Sequence, residues 1–221
     1  MASSFAASCE MGQRGLPEVK GLKDSRKVQV RAGREPILQA AVDNFARRGY
    51  HGTSIRDIAR DADVTVASIY NHFPSKQHLL QEIMRTVLID TIDATRIAIA
   101  RVASGPAAQL DALMQAWVTF HAERRAEALI GASEIRSLDD EGRRVVVALR
   151  DEQEWIFREI VERGLASGAF SISYPRDAVR VLIAMGTSVP SWYRPGEGLQ
   201  PGEVAARYVA LARSLMGAAG S

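Results

Sequence analysis

The chain has 221 residues, 47% of them hydrophobic, and a formal net charge of +2. That length suits one ordinary domain, or a small domain joined to a larger one. No apolar run reaches the ~18 residues of a membrane span, and the single cysteine, Cys9, excludes an intrachain disulfide framework. Aromatics are scarce, at 6%, beside plentiful Ala, Leu, Ile, Val, Arg and Glu, a mixture that favours helix over strand. The N-terminus lacks the apolar core of a signal peptide, and the expected location is the cytoplasm. Met11 is a second candidate start.

Residues 1–33 read as a disordered basic arm. Residues 1–34 carry seven Lys/Arg against three Asp/Glu, on a mildly acidic body. Such an arm either meets an anionic partner or is simply a solvated tail. Structure is expected from Arg34. "REPILQAAVDNFARRGY" sets Ile37, Leu38, Ala41, Val42 and Phe45 on one helical stripe, with Pro36 in the first turn and Gly49 at the stop. In "TSIRDIARDADV", Thr53 or Ser54 caps a second helix whose Ile55, Ile58 and Ala59 face inward and whose Asp57 sits in the first turn. Thr65 then caps "VASIYNHF". A long helix starts at Pro74-Ser75 and stops at Gly105-Pro106.

Four further stripes follow. They are Leu110, Leu113, Trp117, Phe120 and His121; Val146, Leu149, Gln153, Ile156 and Ile160, closed by Gly168; Ala178, Leu182, Met185, Val189 and Trp192; and Val204, Tyr208, Leu211 and Leu215. Pro190 cannot donate to the Gly186 carbonyl, so a kink or break is expected there. The expected fold is all-α, with about nine helices: a three-helix helix-turn-helix unit over 34–80 and a larger helical bundle over 81–221.

A helix as short as "VASIYNH" is not stable alone; its neighbours must hold it and present it. Ile69 and Phe73, spaced i to i+4, would anchor it. Its other face would show Val66, Ala67, Ser68, Tyr70 and Asn71, short enough for close approach to base edges in a major groove. Asn71 suits an adenine edge and Val66 or Ala67 a thymine methyl, while Tyr70, His72 and Lys76 suit phosphates. Spacing alone leaves a second reading open, a three-helix core fragment with solvated polar residues.

"GYHGTSIRDIARDADVTVASIYNHFPSKQHLL" resembles the DNA-binding domain of the TetR/AcrR family of bacterial transcriptional repressors. The residues that carry the resemblance are Phe45, Gly49, Tyr50, Thr53, Ile58, Ala59, Val64, Ile69, Tyr70, His72, Phe73, Lys76 and Leu79-Leu80. It covers roughly Arg34 to Leu80. The resemblance implies a homodimer on a palindromic operator in double-stranded DNA, released by a small-molecule effector, with no cofactor. It places Thr53 and Arg56 at backbone or base contacts, Thr65, Val66, Ala67, Ser68, Tyr70, Asn71 and His72 on the recognition helix, and Lys76 at a phosphate. This chain departs from the pattern at Val66-Ala67, where a polar or Lys-Gly pair is common. It departs again at Asp63, where Gly is usual before Val64; Asp tolerates the left-handed conformation that Gly would supply.

Beyond Leu80, "SEIRSLDDEGRRVVVALRDEQEWIFREIVERGLASGAF" and "SWYRPGEGLQPGEVAARYVALARSLMG" are loosely similar to repressors of fatty-acid, steroid and aromatic-acid breakdown, several of which sense acyl-CoA thioesters. An effector site would be a mostly apolar cavity between helices. Met114, Trp117, His121, Glu134, Trp155, Met185 and Trp192 are its candidate lining, against the alternative that each is plain core. Arg136, Arg143, Arg144 and Arg150 are candidates for a CoA phosphate. The last two stripes would form a dimer face if they pack on their copies.

The four histidines form no i to i+4 pair and have no Cys beside them, so no metal site is indicated. No Gly-rich phosphate loop follows a strand pattern, and no nucleophile elbow is present. The rival classes are an all-helical enzyme and a helical interaction protein whose helix-turn-helix does not bind DNA.

Overall fold

The computed structural model describes residues 22–102 and 105–217. Those residues form nine α-helices and no strand. In chain order they are α1 (Leu22–Arg48), α2 (Ile55–Asp61), α3 (Val66–His72), α4 (Lys76–Ala100), α5 (Pro106–Glu123), α6 (Arg125–Ser133), α7 (Asp140–Ala166), α8 (Pro175–Trp192) and α9 (Pro201–Leu215). A 3-10 turn, Glu134–Ser137, joins α6 to α7.

The starts and stops follow short-range chemistry. Ser54 caps α2 in a capping box: its Oγ accepts the Asp57 N–H at 3.2 Å, and the Asp57 carboxylate accepts the Ser54 N–H at 3.1 Å. Thr65 accepts the Ser68 N–H at 3.1 Å and opens α3, and Ser75 opens α4. Gly49 ends α1 with φ 72°, and Gly168 follows α7 with φ 74°. In the turn between α2 and α3, Asp63 takes φ 53° and does what a Gly would do there.

Two expectations are corrected. α1 does not start at Arg34 but continues back to Leu22, so the arm's last residues are helical; residues 1–21 lie outside the described residues. Pro36 is therefore interior. It is exposed, and its ring costs the helix one hydrogen bond without ending it. Pro190 likewise sits in the last turn of α8, which runs on to Trp192 before stopping.

Two apolar cores meet along α4. The first gathers Ile37, Phe45, Ile58, Ile69, Phe73 and Leu80 from the helix-turn-helix unit. It then continues past Leu80 through Ile83 and Met84 to Ile130, Leu138 and Val146. The second holds Leu113, Met114, Trp117, Phe157 and Leu182, with Val204, Ala205 and Ala212 of α9. A boundary at Leu80 thus falls inside a continuous helix that serves both cores.

Most of the α8 stripe faces inward: Ala178, Leu182 and Val189 are buried in the chain's own core. What stays exposed lies on its flanks: Val181 and Trp192 on α8 and Leu211 on α9, with Trp192 stacked on Tyr208 at 6.3 Å.

Candidate nucleic-acid interface and effector cavity

Ile69 and Phe73 are 0% and 2% exposed, which fixes the rotation of α3. That rotation turns Ala67, Tyr70 and Asn71 to solvent, with Val66, Ser68 and His72 half-buried beside them and Thr65 exposed at the cap. A polar, small-residue face on a helix held by two buried anchors can enter a major groove. Arg56 on α2 is exposed and joins no ion pair among the described residues, whereas its neighbours Arg48 and Arg60 are tied to Asp57. Gly33 of α1 lies against the end of α3: a Cβ there would stand 3.2 Å from His72 Nε2.

Two residues expected at DNA face inward instead. Thr53 is 2% exposed, and its hydroxyl donates to the Gly49 carbonyl at 2.9 Å. Lys76 donates to the carbonyls of Tyr50 and Thr53, each at 2.9 Å, and its ammonium sits 4.2 Å from the centre of the Tyr50 ring. The loop between α1 and α2 leaves those carbonyls without helical partners, and the nearest cation takes them. Burial draws the Lys76 pKa down, partly countered by the Glu134 carboxylate. This lysine is a staple between α4 and the loop.

A second tie holds the same loop. Glu134 accepts the Tyr50 N–H at 3.4 Å and the Ser137 hydroxyl at 2.7 Å. Gln77 of α4 donates to the Ser137 carbonyl at 2.8 Å, and Gln81 donates to Asp139 at 2.7 Å. The 3-10 turn after α6 is thereby tied to both the loop and α4.

The larger unit holds a cavity of about 420 Å³ between α4, α5, α6, α7 and α8. Its apolar wall includes Met84, Val87, Leu88, Trp117, Phe120 and Ile183. Its polar groups include Thr91, His121, Gln153 and Thr187, with Glu127, Glu154 and Arg150. The size and the apolar balance suit a small organic ligand.

Of the seven expected lining residues, only Trp117 and His121 line this cavity. Met114 is core, at 0% exposure. Glu134 belongs to the loop tie. Trp155 and Trp192 are exposed, on α7 and at the end of α8, and Met185 packs on the second core. Of the four arginines, Arg150 borders the cavity and donates to the Gly131 carbonyl at 2.8 Å. The residue is exposed overall, yet burial of its guanidinium pulls its pKa below the ordinary arginine value. Arg143 and Arg144 turn to the carbonyls of Leu138 and Asp140, and Arg136 is exposed on the 3-10 turn. Wall residues on α4 and α6 were missed because a face bordering a void has the same apolar period as one bordering core.

His121 is buried, and its Nδ1 lies 2.7 Å from the Trp117 carbonyl. A carbonyl only accepts, so Nδ1 carries the proton and Nε2 is bare. Burial lowers the pKa to about 4, against the opposing pull of the Trp117 bond. The sign follows: between the ordinary value and about 4, the unfolded chain binds the proton and the folded chain does not. The stabilising contribution is full above the unfolded value and is lost as pH falls through this window. Unfolding free energy is expected to drop by about 2 kcal/mol from pH 7 to pH 5 through this group. Denaturant titrations at the two pH values, repeated on His121→Phe, measure it; the variant should show a flatter dependence.

Comparison with known proteins agrees with this anatomy. The family model described as "Bacterial regulatory proteins, tetR family" matches residues 37–83, and "Tetracyclin repressor-like, C-terminal domain" matches residues 103–216. The HTH-type transcriptional repressor KstR2 of Mycolicibacterium smegmatis is 32% identical over 180 residues, covering 80% of this chain and 87% of that protein. The solved structure of the ketosteroid transcriptional regulator KstR2 of Mycobacterium tuberculosis has a TM-score of 0.75 at 25% identity, covering 92% of this chain and 100% of that one. AibR in complex with isovaleryl coenzyme A and operator DNA shares the fold, with a TM-score of 0.74 at 22% identity, covering 86% of this chain and 100% of that one. With its capped helix-turn-helix in front of a helical ligand-binding unit, this chain belongs to the TetR family of DNA-binding transcriptional repressors, and is a regulator rather than an enzyme.

Proposed function

We propose that the protein binds a palindromic or near-palindromic operator as a homodimer and lets go of it when a small hydrophobic acid derivative, such as an acyl thioester, fills the cavity. The observation that carries the DNA half is the orientation of α3: two buried anchors, Ile69 and Phe73, turn Ala67, Tyr70 and Asn71 outward. A dimer would set two such helices about one DNA turn apart, ~34–36 Å. The exposed Val181, Trp192 and Leu211 on the last two helices support pairing of two copies there.

The effector half rests on α4. Met84, Val87, Leu88 and Thr91 of this helix wall the cavity, and Lys76 at its start holds the loop ahead of α2. A ligand that favours a shifted α4 moves the reading heads off the operator spacing. It must bind the released state better than the DNA-bound state, since only that difference shifts the balance. KstR2 is described as a ketosteroid regulator, and AibR shares only the fold. The thioester reading for this chain therefore rests on the mainly apolar cavity with Arg150 at its edge.

Selection of random duplex DNA on the purified protein, followed by titration at two salt concentrations, tests the reading. An enriched palindrome with affinity that falls steeply in salt is expected. Tyr70→Ala should weaken binding to every sequence by about tenfold. Asn71→Ala should flatten preference at one base position per half-site, an effect of about 1–3 kcal/mol. If both variants bind as wild type does, α3 is not in the groove.

A further inference from the structure

One ring nitrogen on the cavity wall has no partner. Nδ1 of His121 gives the ring proton to the Trp117 carbonyl, which leaves Nε2 a bare acceptor, and burial keeps the ring neutral at pH 7. Nε2 meets no donor among the described residues. The fully enclosed side-chain atoms without a partner there are Asn44 Oδ1 and Gln153 Nε2, so the His121 nitrogen is not sealed in protein. His121 is 8% exposed and lines the cavity, and the cavity is the space to which that nitrogen opens. Native interiors rarely leave such an acceptor unpaired without a reason.

The rest of the wall decides what the guest must bring. The Thr91 hydroxyl donates to the Val87 carbonyl at 2.6 Å, and the Thr187 hydroxyl turns to the Ile183 and Ala184 carbonyls, each at 3.3 Å. The Trp117 indole donates to the Ile183 carbonyl at 3.2 Å. The Gln153 amide is taken up by Thr95, 3.3 Å away, and its Nε2 is enclosed. Glu127 and Glu154 are paired with Arg124 and Arg158, each at 2.6 Å, and as carboxylates they only accept. The protons inside are thus committed, and the lining group with N–H to spare is Arg150, at the edge. A ketone oxygen placed at His121 would face another lone pair and leave both unmatched. An ammonium would have to leave water for carboxylates that arginines already neutralise. A hydroxyl makes the bond without burying a charge.

We propose that His121 Nε2 accepts a hydrogen bond from a hydroxyl on the apolar part of the effector, so that the cavity takes a hydroxylated hydrophobic compound in preference to the corresponding ketone. The proposal rests on the cavity being the effector site. Trp117, Phe120 and Ile183 would enclose the carbon skeleton around the hydroxyl, while a thioester or acid end stays at the edge beside Arg150.

Three probes isolate the donor: 2-octanol, 2-octanone and 2-aminooctane. They share one carbon skeleton, short enough to slide within the cavity, and differ in the group at the second carbon. Calorimetric binding to the full chain and to His121→Phe, a similar-sized apolar replacement, gives the comparison, with thermal melting of both proteins to verify folding. Wild type should bind the alcohol about tenfold more tightly than the ketone or the amine. His121→Phe should lose about tenfold for the alcohol and nothing for the ketone. Should that variant fail to fold, the wild-type comparison of alcohol with ketone decides alone. Equal or tighter binding of the ketone by wild type overturns the proposal. So does an alcohol preference that survives His121→Phe, tighter binding of the amine than of the alcohol, or no binding of any probe. DNA release is scored separately on the same proteins. Release by all three probes alike would sink the His121 assignment and keep the effector reading. His121-dependent binding of the alcohol without release would do the reverse.

Discussion

Replacing Gly186 with Ala is expected to destabilise the protein by about 2 kcal/mol, although the change raises helix propensity. In an open helix interior the swap would gain up to about 1 kcal/mol. Here a Cβ would overlap Cδ1 and Nε1 of Trp117. That indole borders the cavity on one side but is held in place by its other contacts. It is 4% exposed, its Nε1 donates to the Ile183 carbonyl at 3.2 Å, and it packs edge-on to Phe157 at 5.4 Å and beside His121 at 4.2 Å. Overpacking of this kind costs about 1–3 kcal/mol, and losing the indole's hydrogen bond adds to it. For a chain of this size the melting temperature should fall by roughly 4–8 °C. Trp117 is also cavity wall, so its emission should shift while the exposed Trp155 and Trp192 stay as they are. A variant more stable than wild type would show that the indole can yield, and that α5 and α8 are not closely joined there.

The second large effect is expected at Lys76. Removing its ammonium in Lys76→Met takes the charged donor from the Thr53 carbonyl, leaves the Tyr50 carbonyl only the longer 3.3 Å bond from the Thr53 N–H, and strips the cation from the Tyr50 ring. Hydrogen bonds to a charged group contribute about 1.5–3 kcal/mol each when well made. Half-burial discounts this, and a loss of about 2–3 kcal/mol is expected, or roughly 5–10 °C in melting temperature. DNA affinity should fall at least tenfold, because the loop that sets α2 and α3 loses its tie. The same variant separates the staple from a phosphate contact. A lost phosphate contact would lower the slope of log affinity against log salt by about 0.9 per contact and leave melting unchanged. A lost staple lowers melting and leaves the slope unchanged.

These two residues mark where sequence reading runs out. The helix-turn-helix was legible because its signals are short-range. Ser54, Thr65 and Ser75 cap what they precede, Gly49 and Asp63 take positive φ, and Ile69 and Phe73 anchor at i to i+4. The inward turns of Thr53 and Lys76 were not, because a side chain's direction at a helix start depends on which carbonyls the fold brings near it. The resemblance placed Lys76 at a phosphate, whereas the geometry commits it to the loop. α6 was also missed. It opens at Arg124 without a side-chain cap hydrogen bond, and at nine residues it is too short to show a full stripe. Its absence from the sequence reading hid Glu127, Ala128 and Gly131 of the cavity and gave Glu134 the wrong neighbours. Trp117 and His121 of the α5 stripe do border the cavity, yet Met114 beside that stripe is core. A helical period reports that a face is covered, not whether protein or empty space covers it.

The continuity of the first core past Leu80 bears on how such a regulator can be rebuilt. Ile130, Leu138 and Val146 close the core beneath the reading head, and Glu134 and Ser137 brace its loop. A head cut out at the end of α3, or after α4, would leave that apolar floor behind. Grafting this head onto a foreign sensor therefore calls for the corner from α6 into α7 to travel with it. The portable unit is discontinuous in the chain, a head and a distant bracket. Chimeras that respect that seam should fold, and those joined at the apparent linear boundary should precipitate.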